Sequence, residues 1–178
     1  MTIASASPSH ARIAENPALL AALAIALVGL ATLAGAWFFQ LVLDIRPCPL
    51  CLEQRFAYYL AVPLAALAAV LAARHAPRHL LMAAFVILLA AALGNAYLGG
   101  YHAGVEWKFW QGPTDCTGPI LDLGSAGNLL QRLDTVKVIR CDEVQWRFLG
   151  LSLAGYNVLI SLLMAALALW GFVAAAKR

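Results

Sequence analysis

Four stretches of this chain, residues 17–43, 56–73, 80–98 and 149–173, are long, apolar and free of Lys, Arg, Asp and Glu. No other feature narrows the fold so far. A helix crosses the hydrocarbon core of a bilayer in roughly 20 residues. A backbone in lipid must also satisfy its own hydrogen bonds, which a helix does within one segment. Composition points the same way. Of 178 residues, 63% are hydrophobic and 12% charged, with a mean hydropathy of +0.80. A soluble domain is nearer ~45–50% apolar and ~25% charged. The expected fold is therefore all-α: a single four-transmembrane-helix bundle over residues 1–178, with two outer loops at about 44–55 and 99–148.

A cleaved leader is the competing reading of the first span, because Ala34-Gly35-Ala36 resembles a cleavage site. The apolar run is longer than the apolar region of a signal peptide and continues through Trp37, Phe38 and Phe39, so a retained span is expected. Orientation follows from charge. The N-terminal tail (Arg12), the loop holding Arg74 and Arg78, and the C-terminal Lys177-Arg178 carry five basic residues against one acid, Glu15. Short basic segments stay on the cytoplasmic side. Both termini are then inside, and the other two loops face the periplasm. The net charge of +3 bears on orientation alone. Its basic residues are scattered, and nothing resembles a nucleic-acid site.

The second outer loop is long. Within it Leu121, Leu129, Leu130, Leu133 and Val136 recur at roughly helical intervals. This predicts a short amphipathic helix on the membrane surface over 120–139, with Gly124, Gly127 and Thr135 against it. Trp107, Phe109, Trp110 and Trp146 suit an interfacial aromatic belt. Asn95 and Asn157 are expected to hydrogen-bond between helices, and Pro63 to kink the second span.

All four cysteines lie in the two outer loops and none in a span. A function on that aqueous face, the oxidising one of a bacterial inner membrane, is expected. Cys48-Pro49-Leu50-Cys51 is a tight pair just before a helix. Free N–H groups and the helix dipole favour a thiolate there, and the thiolate is the attacking species in disulfide exchange. Cys116 and Cys141 are spaced widely in the long loop. Three readings remain open. A zinc site of four cysteines lacks close spacing in its second pair. Two structural disulfides suit Cys116–Cys141, which would close a long loop, better than Cys48–Cys51, which would constrain almost nothing. A redox relay uses both pairs. Arg55 lies one helical turn beyond Cys51 on the same face. It either supports a thiolate and an acceptor oxygen or snorkels to the interface.

The run Cys48-Pro49-Leu50-Cys51-Leu52-Glu53-Gln54-Arg55, and the run from Cys141-Asp142-Glu143 through Trp146-Arg147-Phe148-Leu149-Gly150-Leu151 into the last span, resemble the disulfide bond formation protein B (DsbB) family. The four-span layout and two outer cysteine pairs match as well. The resemblance implies a membrane thiol:quinone oxidoreductase. Such a protein reoxidises a periplasmic DsbA-like thiol oxidase and passes the electrons to ubiquinone or menaquinone. It implies that Cys48 and Cys51 exchange with the quinone, with Cys51 facing the ring. Cys116 would form the mixed disulfide with the partner, and Cys141 would be its exchange partner. Arg55 and His102 would bind the quinone, His102 being otherwise an ordinary interfacial histidine. No resident metal is implied. The residues around Cys116 and the segment from there to Cys141 depart from the family's pattern. The alternatives are a non-enzymatic membrane protein with disulfide-stapled loops and a vitamin K epoxide reductase-like protein. In the latter the quinone-proximal pair belongs near a late helix rather than before the second.

Overall fold

The computed structural model describes residues 16–113 and 140–178. The tail with Arg12 and Glu15, Cys116 and the amphipathic helix expected over 120–139 lie outside the described residues. The order of elements is α1 (Pro17–Leu41), α2 (Pro49–Ala73), α3 (Arg78–Glu106), a hairpin of β1 (Arg147–Phe148) and β2 (Leu151–Ser152), and α4 (Leu153–Ala176). All four helices are long and apolar enough to cross a membrane, with mean hydropathy between 2.0 and 2.4. The four-span all-α architecture stands. Each helix packs on two neighbours, α1 on α2, α2 on α3, α3 on α4, and α4 back on α1, which closes a four-helix bundle.

Lipid is the outer solvent, and the distribution of side chains shows it. Leu27, Phe56 and Tyr97 point outward, while the interior is lined by Ala18, Ala21, Ala22, Ala65, Ala68, Ala72 and Ala168. Hydrophobicity does not drive helices together in a bilayer, so close backbone approach through small residues has to do it. Gly171 of α4 is the tightest approach between helices: a Cβ there would sit 2.3 Å from Cε1 of the fully buried Phe85 on α3.

Helix ends depart from the hydropathy boundaries. α2 starts at Pro49, not near residue 56, because the Cys48 side chain caps it and Pro49 occupies its first turn. Proline is favoured there, since the missing N–H is an orphan in any case. α3 runs on to Glu106 and carries His102 with it. α4 begins later than residue 149. Leu149 (φ 48°) and Gly150 (φ 83°) form a two-residue hairpin turn, and Ser152 then caps the helix. Positive φ at both central residues is the type I′ pattern, which Gly supplies without strain. Pro63 lies inside α2, which continues through it. At the opposite end of the bundle Asn16 caps α1, and its amide donates to the Ala72 carbonyl at the close of α2 (3.1 Å). Arg178 donates to both Ala72 and Asn16.

Candidate functional site

The polar side chains of the bundle gather at the end formed by the start of α2, the close of α3, the start of α4 and the hairpin. Cys48 is the N-cap of α2: its Sγ accepts the Cys51 backbone N–H at 3.3 Å. The helix terminus thus directs an N–H at Cys48. The two sulfurs lie 2.8 Å apart, with Cys48 as donor. That hydrogen bond to Cys51, and then burial, push the Cys48 thiol well above the ordinary range. Cys48 is buried and Cys51 half-buried.

His102 reaches this pair from α3. Its Nε2 is 3.6 Å from Cys48 Sγ, and its Nδ1 is 2.9 Å from the Gln54 amide nitrogen. It is 3% exposed, so it is no interfacial side chain in water. One turn on, Glu106 Oε1 stands 3.9 Å from His102 Nε2, and Glu106 Oε2 is buried without a partner among the described residues. Gln54 sits in the motif around Cys48, but hydropathy and spacing gave it no role. Glu106 was unassigned too, and its place one turn beyond His102 was the available signal.

Cys141 joins from the long loop. It is 1% exposed and packs in one apolar cluster with Cys48, Leu50 and Val105. Cys141 is disulfide-bonded. Its neighbour Asp142 is clasped by Lys108 Nζ (2.6 Å) and by the Arg140 guanidinium (2.9 Å), and Lys108 also donates to the Asp142 carbonyl. Hydrogen bonds from Arg140 and Lys108 hold the Asp142 carboxyl well below the usual carboxylate range. Lys108 follows α3 directly, so this clasp fixes the Cys141 backbone over the end of that helix. The structure brings Cys48, Cys51, His102 and Cys141 together at one place.

Beside the pair opens a cavity of about 570 Å³, with walls from α1 and α4 and a back from α2. Most of its lining is apolar, and Cys51, Gln54, Arg55, Tyr58, His102 and Asn157 are among its polar points, with Arg46 and Gln145 also on the wall. A few convergent polar groups in an apolar cleft of ~300–1,000 Å³ are the usual form of a small-molecule site. Arg55 donates through Nη1 to Gln40 Oε1 (2.7 Å) and through Nη2 to the Ala36 carbonyl (3.3 Å), and it lies 5.5 Å from the centre of the Trp37 ring. These contacts tie the guanidinium to α1 at the cavity wall. Trp146 departs from a purely interfacial role, for it packs on Phe39 at 5.0 Å and lines the cavity. Trp107 and Phe109 are exposed, as the belt requires. Deeper in, Asn157 Oδ1 accepts from Tyr58 (2.6 Å) and from Asn95 (3.2 Å), the interhelical bonding expected of both asparagines. Asn157 Nδ2 is left without a partner among the described residues.

Fold and site together define a multi-pass membrane protein with a cysteine pair opening on an apolar cavity. The model of the family described as disulfide bond formation protein DsbB matches residues 18–171, and the chain belongs to that family. Among its relatives is disulfide bond formation protein B of Methylococcus capsulatus, 35% identical over 147 residues. The match covers 78% of this chain and 84% of the relative. The protein of the same name from Marinobacter nauticus is 32% identical over 149 residues, covering 78% and 82%. That from Aromatoleum aromaticum is 34% identical over 143 residues, covering 74% and 78%.

Proposed function

We propose that this oxidoreductase of disulfide bond formation takes electrons from a periplasmic DsbA-like thiol oxidase and delivers them to a membrane quinone. In net terms, a partner dithiol and a quinone become a partner disulfide and a quinol. The observation that carries the reading is the position of the Cys48/Cys51 pair: Cys48 packs with Cys141, while Cys51 lines the apolar cavity. One pair thus touches both the loop that meets a soluble protein and a cleft that suits a lipid-soluble molecule. A purely structural staple has no use for that position.

Cys116 receives the partner thiolate and forms the mixed disulfide. Cys141 hands the electron pair on to the Cys48–Cys51 disulfide, and the Lys108–Asp142–Arg140 clasp keeps it in reach. Cys51, the more accessible sulfur, then acts on the cavity side. The cavity residues fit a quinone head group: its two carbonyl oxygens need donors, and Arg55 lines the wall. His102, held by Gln54, stands where a proton is exchanged with Cys48. Ubiquinone or menaquinone, when bound, supplies a two-electron, two-proton acceptor. The cysteine end faces the periplasm and both termini the cytoplasm, because the basic loop holding Arg74 and Arg78 lies at the other end of the bundle.

Purified protein tests this through Cys116→Ser. Oxidation of the reduced soluble partner is expected to stop, while added quinone still reoxidises the Cys48/Cys51 pair. Wild-type turnover of the partner by Cys116→Ser would return the long-loop disulfide to a structural role. Labelling of an engineered cysteine at Arg74 from the periplasmic side would overturn the orientation.

A further inference from the structure

The atoms that meet at the start of α2 are also a metal donor set. Cys48 Sγ, Cys51 Sγ and a ring nitrogen of His102 all lie within 4.8 Å of one another. This differs from a zinc site built of four cysteines, because Cys141 is committed to a disulfide and its place as donor is taken by an imidazole. Tetrahedral zinc, with Zn–S near ~2.3 Å and Zn–N near ~2.05 Å, sets an S···N edge of about 3.6 Å and an S···S edge of about 3.8 Å. The Cys48 Sγ–His102 Nε2 distance is already 3.6 Å. The two sulfurs, at 2.8 Å, have to part by roughly 1 Å. Cys51, half-buried and lining the cavity, is the side chain that has to move.

Two neighbours complete the arrangement. A ligating histidine usually bonds a partner through its other ring nitrogen, which fixes the ring and the tautomer. Gln54 holds that place at Nδ1, 2.9 Å away. If the Gln54 amide turns its oxygen to Nδ1–H, Nε2 is left as the acceptor facing the sulfurs, and metal binding there competes with the hydrogen bond between the His102 ring and the Cys141 backbone. Glu106, 3.9 Å from Nε2, has a buried carboxylate oxygen with no partner among the described residues. Glu106 is not among the donors that lie within 4.8 Å of one another, so the fourth position is left to water, with Glu106 beside it.

We propose that the reduced Cys48/Cys51 pair, with His102, binds one Zn²⁺ or a similarly thiophilic divalent ion, a water completing its coordination. Two thiols and the ion give a dithiolate complex and two protons, and no electron moves. The disulfide form holds no thiolate and does not bind, so the site is gated by redox state. The binding itself is independent of the quinone reading. Only its consequence, a metal that arrests turnover by holding the pair reduced, rests on it.

The test uses the full chain in detergent micelles, with Cys116→Ser and Cys141→Ser removing the other thiols. The protein is reduced with a phosphine, freed of reductant under argon and titrated with Co²⁺. One equivalent is expected to bind, with thiolate-to-cobalt charge-transfer bands in the near ultraviolet and the strong visible bands of tetrahedral cobalt. Zn²⁺ should displace it. Prior oxidation of the same protein should abolish binding without any mutation at the site. Loss of an outer partner typically costs about 10–100-fold in affinity. Gln54→Leu is expected to fall in that range and His102→Ala beyond it. Absence of the charge-transfer bands, or equally tight cobalt binding by His102→Ala and by the oxidised protein, would overturn the proposal. Turnover is not part of the readout, so failure here leaves the oxidoreductase reading standing, and the reverse holds too.

Discussion

Replacing Arg55 by Gln separates the two things this side chain does. Its guanidinium makes two hydrogen bonds to α1, at 2.7 Å and 3.3 Å, and lies against Trp37. A hydrogen bond to a charged group contributes ~1.5–3 kcal/mol in water-exposed proteins, yet interhelical bonds in membranes average ~0.6 and reach ~1.7 kcal/mol. The cation–π contact adds ~0.5–1 kcal/mol. Arg55 is only half-buried, so the lower figures apply. The 3.3 Å bond is weak, and Arg55→Gln should lower stability by about 1–2 kcal/mol. The effect on the cavity is separate. A cation lost from beside an oxygen that gains negative charge costs ~1.4 kcal/mol for each tenfold in rate. We expect kcat/KM for quinone to fall by about tenfold. The dependence on the reduced partner, which on the proposed route enters at Cys116, should hardly change. Arg55→Lys keeps the charge but not the planar fork, and one ammonium does not serve both Gln40 and Ala36, so an intermediate defect is expected. Steady-state kinetics with quinone and partner varied separately, together with thermal unfolding in micelles, give both quantities. A stability loss of the stated size with an unchanged quinone dependence would refute the cavity role and leave Arg55 as a tie between α1 and α2.

Gly171→Ala should destabilise the bundle by ~1–3 kcal/mol through overpacking, because the new methyl meets the Phe85 ring at 2.3 Å. Thermal unfolding measures it, and Phe85→Leu in the same chain should restore part of the loss. In the reduced protein a small maleimide should modify Cys51 before Cys48, since Cys48 is buried and its thiol is pushed up by the hydrogen bond to Cys51; mass spectrometry of a time course reads the order. Asp142→Asn should loosen Cys141 over α3 and slow exchange between the two cysteine pairs, followed by rapid quench and thiol trapping. Because the Asp142 carboxyl is depressed, its contribution is present above the usual aspartate range. It is lost as pH falls through the depressed value. Its cationic partners are more than half exposed, so unfolding measured against pH should show at most ~1 kcal/mol from this clasp.

The four spans were legible in the amino-acid sequence because hydrocarbon excludes charge and demands length, and both are counted without knowing any neighbour. The place of Cys48 outside the spans was legible for the same reason, although α2 starts early enough to take Cys51 into its first turn. So was the tight pair at a helix start, since Pro49 and the spacing of Cys48 and Cys51 are local. Helix ends were not. α2 and α3 extend past the hydrophobic runs into Gln54, Arg55, His102 and Glu106. A helix does not stop where lipid stops, but where capping and turn chemistry stop it.

Which faces meet was decided only by the tertiary structure. A soluble helix shows its buried side as an apolar stripe. Here the outside is lipid and as apolar as the core, so Phe85 inside and Phe56 outside read alike in sequence. Nothing local says that His102 turns toward Cys48, that Arg55 is tied to α1, or that Cys141 reaches Cys48 through the Asp142 clasp. Those contacts join residues far apart in the chain, and they exist because small side chains let four helices close to a distance at which the few polar groups find one another.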